Sequence, residues 1–145
     1  MSSSPTNVAK SGKPSLLKSP TTTWEALIFA HHQRLENLTI LVDLNGLQGF
    51  GTTREVADLD PLADKLRAFG LDTVEVEGHD PEALRECLTH PRHGPDAIVA
   101  RTRKGCGVSF MEGRMEWHYL PLSAEQYRQA LSETEQSCAT PFAGH

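Results

Sequence analysis

The chain has 145 residues, 38% of them hydrophobic, with a mean hydropathy of -0.40 and a formal charge of -5. That length suits one domain or part of a larger one. The acidic balance, with no basic stripe to neutralise phosphates, argues against a nucleic-acid or anionic-membrane partner.

Cys87, Cys106 and Cys138 form no C-x-x-C pair, and a reduced, cytoplasmic setting fits them. The opening residues lack the apolar core of a secretory signal, and no apolar run approaches the ~18 residues that cross a bilayer.

Residues 1–20 are rich in Ser, Pro, Lys and Thr. Too few apolar residues are present to offset ordering, so a disordered or loosely docked segment is expected. Thr21–Thr23 offer N-caps for a helix over about Trp24–Arg34. Its predicted buried face is Trp24, Leu27, Ile28, His31 and, just beyond, Leu35. A first strand follows at about Leu38–Asp43 and ends in a polar, glycine-rich loop with Asn45, Gly46, Gly49 and Gly51. Such loops at the carboxyl ends of strands are where open α/β sheets bind ligands.

Asp60-Pro61 then starts a helix with Leu62, Leu66 and Phe69 on one side and Gly70 as its stop. Thr73–Glu77 alternates as a strand, and Gly78-His79 turns it off. Asp80-Pro81 starts a helix to about Thr89, with Ala83, Leu84 and Leu88 inward. Ala97–Ala100 is a third, continuously apolar strand. Ser123 and Gln126 form a capping box for a helix to about Glu133, expected to bury Tyr127, Ala130 and Leu131. The tail from Gln136 to His145 reads as frayed. Helix–strand alternation implies an α/β fold with parallel strands and right-handed crossovers. About three strands are few for a parallel sheet, which needs cover on both faces, so this looks like a partial sheet. The isolated chain is expected to be weakly soluble or to associate.

Five stretches, in this order, carry a family likeness. They are W-E-A-L-I-F-A-H-H-Q-R-L-E-N-L from Trp24, V-D-L-N-G-L-Q-G-F-G-T-T from Val42, P-L-A-D-K-L-R-A-F-G from Pro61, V-E-G-H-D from Val76, and R-T-R-K-G-C-G-V-S-F-M-E from Arg101 with W-H-Y after it. Over about Trp24 to Leu131 the chain resembles the transketolase family, specifically the second half of the separate N-terminal subunit that binds thiamine diphosphate.

The resemblance implies a fold like the C-terminal half of that cofactor module, with residues 21–135 as a partial diphosphate-binding domain. It implies Mg²⁺ held by Asn45 and by the backbone carbonyl of Leu47, with Gly46 turning that carbonyl inward. It also implies Lys104 and Gly105 near the cofactor, and His118 as the catalytic histidine reaching diphosphate and sugar. The family's G-D-G turn, which carries a metal-binding Asp, falls on Pro14-Ser15-Leu16, so its carboxylate is replaced at Ser15. The glutamate that activates the cofactor belongs to the family's other half. The partners the resemblance implies are a C-terminal, pyrimidine-binding subunit and a phosphorylated sugar, while the uncovered sheet edge separately suggests a further copy of the chain.

Plainer readings stand beside these. D-x-N-G is common turn chemistry, so Asn45 could be a turn residue alone. Asp43 could replace the lost carboxylate or cap local N–H groups. His31 reads as a packed core histidine, His32 as a surface one, and His79-Asp80 as a turn and helix cap. His118, between Trp117 and Tyr119, suits a pocket wall or a structural role. The loop of Lys104, Gly105 and Gly107 suits a phosphate or plain solvent. Cys106 has no partner in sequence that would activate it. Two functions follow: one piece of a split transketolase-like enzyme moving a two-carbon ketol unit between sugars, or a non-catalytic truncated paralogue acting as an interaction element.

Overall fold

The strand Asp96–Arg101 holds the molecule together, because its first five residues are all buried while only Arg101 reaches solvent. A run buried on both faces needs a parallel neighbour on each side and helices above and below. The computed structural model, which describes residues 20–90 and 93–139, shows this arrangement. The segment before Pro20, with Pro14-Ser15-Leu16, lies outside the described residues, as do residues 140–145.

In chain order, α1 (Pro20–His32) leads into β1 (Thr39–Leu44) and a small hairpin of β2 (Leu47–Gln48) and β3 (Gly51–Thr52). One turn of helix, α2 (Thr53–Val56), and then α3 (Leu62–Ala68) precede β4 (Asp72–Glu77). Next come α4 (Pro81–Thr89), β5 (Asp96–Arg101), a 3-10 turn over Met115–His118 and finally α5 (Ala124–Ala139). The main sheet has three strands in the order β1-β5-β4, parallel throughout. The α/β class and the partial parallel sheet are therefore as expected, each strand lying within a residue of its predicted place.

The register sets Ile40, Ala97 and Thr73 side by side, and then Val42, Val99 and Glu75. Against this face pack Leu27 of α1 and Leu62, Ala63 and Leu66 of α3, with Leu71 closing the end. Trp24 stacks on Phe69, ring centroids 5.2 Å apart. On the other face α4 lies along β4, Val74 and Cys87 lining one cleft. Asp80 caps α4 by accepting from the N–H groups of Glu82 (2.9 Å) and Ala83 (3.1 Å), as its Asp-Pro start predicts. Gly70 sits at φ +85°, the left-handed stop that α3 needs. Among the described residues no helix is long and apolar enough to cross a membrane.

Several details differ from the sequence reading; at the start of α3, for one, Pro61 stands at the N-cap with no side-chain bond, so Asp60 does not cap the helix. The first helix starts at Pro20, a residue suited to a first turn, so the threonines lie inside it instead of capping it. Its buried face is rotated: Leu27 and Ala30 are buried, whereas Ile28 is 55% exposed. Ala30 is 2% exposed, and His31 stays at the surface, its ring Nδ1 donating to the Gly70 carbonyl at 3.0 Å. In α4, Leu88 faces solvent. The last helix runs on to Ala139 and leaves Tyr127 and Leu131 exposed, because no element among the described residues lies over them. Its capping box forms as expected, Ser123 and Gln126 bonding reciprocally. Leu41, on the outer edge of β1, is also exposed.

The rotated helix face has a direct test. Leu27→Ala is expected to cost about 2–5 kcal/mol in urea denaturation, the range for an emptied core site. Ile28→Ala is expected to stay within about 0.5 kcal/mol.

Candidate functional site

Because the three strands are parallel, their carboxyl ends lie on one edge, and the loops after β1, β4 and β5 meet there. Thr102, one residue past β5, donates its N–H to the Leu44 carbonyl at 3.2 Å. Its hydroxyl donates to the Asp43 carboxylate. On the other side Gly78 donates to the Arg101 carbonyl at 2.7 Å. A Cβ on Gly78 would stand 2.4 Å from the Thr102 methyl, so only glycine allows this approach. His79 accepts the Arg103 N–H on Nε2 at 2.7 Å. The acceptor nitrogen must be unprotonated, which places any ring proton on Nδ1.

The loop after β1 is ordered by its own polar groups. Asn45 Oδ1 accepts the Leu47 N–H at 3.0 Å, an Asx-type turn, while Gly46 takes φ +74°. The Gly46 carbonyl accepts Thr53 N–H at 2.9 Å, closing the hairpin of Leu47–Gln48 with Gly51–Thr52. Thr52 and Glu55 then make a reciprocal capping box that starts α2. Both the hairpin and this helix went unforeseen, although T-T-R-E carries the capping signal in its sequence. Phe50 at the hairpin tip is 95% exposed.

The loop after β5 folds over itself. Gly105 (φ +72°) passes so close to Met111 that a Cβ there would lie 2.5 Å from its carbonyl oxygen. Gly113 donates to the Lys104 carbonyl at 2.8 Å, closing the base of the loop. Inside, Glu112 accepts the Gly107 N–H at 3.2 Å and pairs with Arg103 at 3.2 Å. Those contacts, the Gly107 N–H first, hold the Glu112 carboxyl below the ordinary glutamate value. Burial and the Glu112 charge push the Cys106 thiol up, so Cys106 is not an activated nucleophile.

Of the residues predicted for a site, Asn45, Gly46 and Leu47 lie on the loop after β1, and Lys104 and Gly105 on the loop after β5. His118 ends the 3-10 turn at the surface, its ring edge-on to Tyr119 with centroids 4.7 Å apart. Tyr119 donates its hydroxyl to the Gly49 carbonyl at 3.2 Å, which ties His118 to the glycine loop. Asp43 bonds a side chain 59 residues away, where a local backbone cap was one expectation. The partners Thr102 and Glu112 were not singled out from sequence, and Tyr119 was named only as a neighbour of His118, since only the fold brings them to this edge.

The donor set limits what metal could sit here. Among the described residues no group of three or more His, Cys, Asp or Glu is placed to hold an ion. Asn45 Oδ1, with a lone pair left beyond its bond to Leu47, and the Leu47 carbonyl are neutral hard oxygens. Two neutral oxygens do not suit a bare Mg²⁺, but they do suit one that arrives carrying a diphosphate, whose oxygens supply the negative charge.

Residues 15–143 match the model of the family described as transketolase, thiamine diphosphate binding domain. The chain is 38% identical over 112 residues to one subunit of an apulose-4-phosphate transketolase from Actinobacillus succinogenes, covering 76% of this chain and 41% of that one. It is 35% identical over 119 residues to one subunit of a 6-deoxy-6-sulfo-D-fructose transketolase from a Clostridium species, covering 80% and 43%. This chain thus spans about two-fifths of the length of those relatives. The fold matches a transketolase of Campylobacter jejuni with a TM-score of 0.72 at 23% identity, over 78% of this chain and 18% of that one.

Glu112 gives the loop an acid response. A glutamate whose carboxyl is held low in the fold stabilises above its ordinary value of 4.5 and loses that effect as pH falls through the lower folded value. The protection factor of the Gly107 amide, its exchange divided into the intrinsic rate at each pH, is expected to fall as the pH drops below 4.5, while the sheet amides stay protected. In Glu112→Gln this acid step is expected to vanish.

Proposed function

The chain belongs to the transketolase family, through its thiamine diphosphate binding domain, and from that premise we propose that its carboxyl-edge loops form half of a Mg²⁺–diphosphate clamp. The observation that carries the proposal is the meeting of the Asn45–Leu47 turn, the Lys104–Gly107 loop and the His118–Tyr119 pair at one edge of the parallel sheet. Asn45 Oδ1 and the Leu47 carbonyl would hold Mg²⁺, and Gly46 at φ +74° gives the turn its shape. Lys104 meets the diphosphate charge, and Gly105, at φ +72°, lets the loop that carries it fold closely against Met111. His118, exposed at the rim, offers a ring N–H to a diphosphate or sugar oxygen. When bound, thiamine diphosphate supplies the nucleophilic carbon and the electron sink for moving a two-carbon ketol unit between sugars.

The proposed module has residues 21–135 as its body, with α5 carrying it to Ala139. The bacterial relatives are named as single subunits of their enzymes, which supports a partner: a separate pyrimidine-binding subunit that supplies the activating glutamate and closes the site. The relatives named for a sugar phosphate and for a sulfo-sugar support a ketose with an anionic group as the substrate class. A second reading, a non-catalytic paralogue acting as an interaction element, is favoured by one observation. The metal donors among the described residues are neutral, and Asn45 already serves its own turn.

Titration of the purified chain with thiamine diphosphate and Mg²⁺, alone and with such a partner subunit, separates the two readings. Tryptophan fluorescence is expected to show saturable, Mg²⁺-dependent binding, weakened about tenfold or more by Asn45→Ala, the scale of one lost bond to a charged ligand. Absence of binding in both settings leaves only the non-catalytic reading.

A further inference from the structure

We propose that Glu133 of α5 is a positioning residue that holds the Lys104–Gly107 loop in its ligand-ready shape. Its carboxylate accepts the backbone N–H of Ser109 at 2.6 Å and the Ser109 hydroxyl at 2.8 Å. Gln129, one turn earlier on the same helix, donates to Glu133 at 2.7 Å and to the Ser109 hydroxyl oxygen at 3.3 Å. These contacts hold the Glu133 carboxyl below the ordinary glutamate value, so it is ionised at neutral pH and both Ser109 bonds are charge-assisted.

The position of Ser109 gives this clasp its reach. Its neighbour Val108 is buried at 8% exposure. Two residues back, Gly107 is tied by Glu112 from within the loop. The backbone from Gly107 to Ser109 is therefore held at three successive residues: by the Glu112 bond, by the burial of Val108 and by Glu133. Removing the outer point leaves only the Glu112 bond and the burial of Val108 on this stretch, which follows two glycines, Gly105 and Gly107, both at positive φ. The clasp also accounts for α5 itself. With Tyr127 and Leu131 exposed, a polar attachment to the loop takes the place of an apolar seat on the sheet.

This inference rests on the loop's proposed role at the diphosphate, and its test keeps the two apart. Thiamine diphosphate with Mg²⁺ is titrated, in the presence of the partner subunit, into the full-length wild type, Glu133→Ala and Glu133→Gln. Hydrogen exchange at the Gly107 and Ser109 amides is followed in parallel, with helix content by circular dichroism. The expected result is at least a fivefold weaker Kd and faster exchange at both amides in Glu133→Ala. In Glu133→Gln, which keeps one of the two oxygen acceptors and loses the charge, Kd is expected to lie between those of wild type and Glu133→Ala at unchanged helix content. Wild-type binding with an unaltered Kd in Glu133→Ala overturns the positioning role. So does a loss that the glutamine variant does not restore even in part. If the wild type itself does not bind, the proposed function fails and this inference fails with it.

Discussion

Everything at the candidate site depends on the parallel, in-register pairing of β5 between β1 and β4. That pairing aligns Leu44, Arg101 and Glu77 at one level, so the three chains leave the sheet together. Five buried residues in a row fix β5 in the middle, and the buried face of α1 and α3 fixes which way the sheet lies. A one-residue slip of β1 would turn Ile40 and Val42 away from Leu27 and Leu66 and set Leu41 in their place. It would also pull Leu44 away from Thr102. Core packing and site geometry are thus one constraint seen from two ends.

Above that edge the polypeptide uses glycine and carboxylates for separate tasks. Gly78 and Gly105 lie where another part of the chain comes within 2.5 Å of any added Cβ. Asp43, Glu112 and Glu133 each take a hydroxyl, N–H or guanidinium from a neighbouring stretch, so the loops after β1 and β5 are tied down by anionic acceptors. Carboxylates used in this way keep backbone donors satisfied, but they place negative charge around a site proposed for a diphosphate. Lys104 and an accompanying Mg²⁺ are what would balance it.

The sequence made the sheet legible because its signals are local. Asp80-Pro81, Ser123 with Gln126, and Gly70 each act through neighbours a few residues away, and each works in the fold as it reads in the chain. Asn45 and Gly46 were legible as a turn for the same reason. The face of α1 was misread because its residues are apolar nearly all round. Periodicity alone could not choose the side of Leu27 and Ala30 over that of Ile28. Contacts such as Thr102 to Asp43, Tyr119 to Gly49 and Glu133 to Ser109 join residues far apart in sequence, and only the topology brings them together. The exposed positions of Ile28, Leu41, Tyr127 and Leu131 are consistent with a chain that spans about two-fifths of its relatives' length.

The central claim is that the loops after β1 and β5 receive one ligand together. An amide ¹H–¹⁵N titration of the chain with thiamine diphosphate and Mg²⁺, partner subunit present, tests it most directly. The account predicts that the amides of Gly46, Leu47, Gly105 and Gly107 shift along one saturation curve while those at the opposite edge, such as Gly70 and Asp72, stay still. Shifts confined to one loop, or centred on the opposite edge, would contradict it.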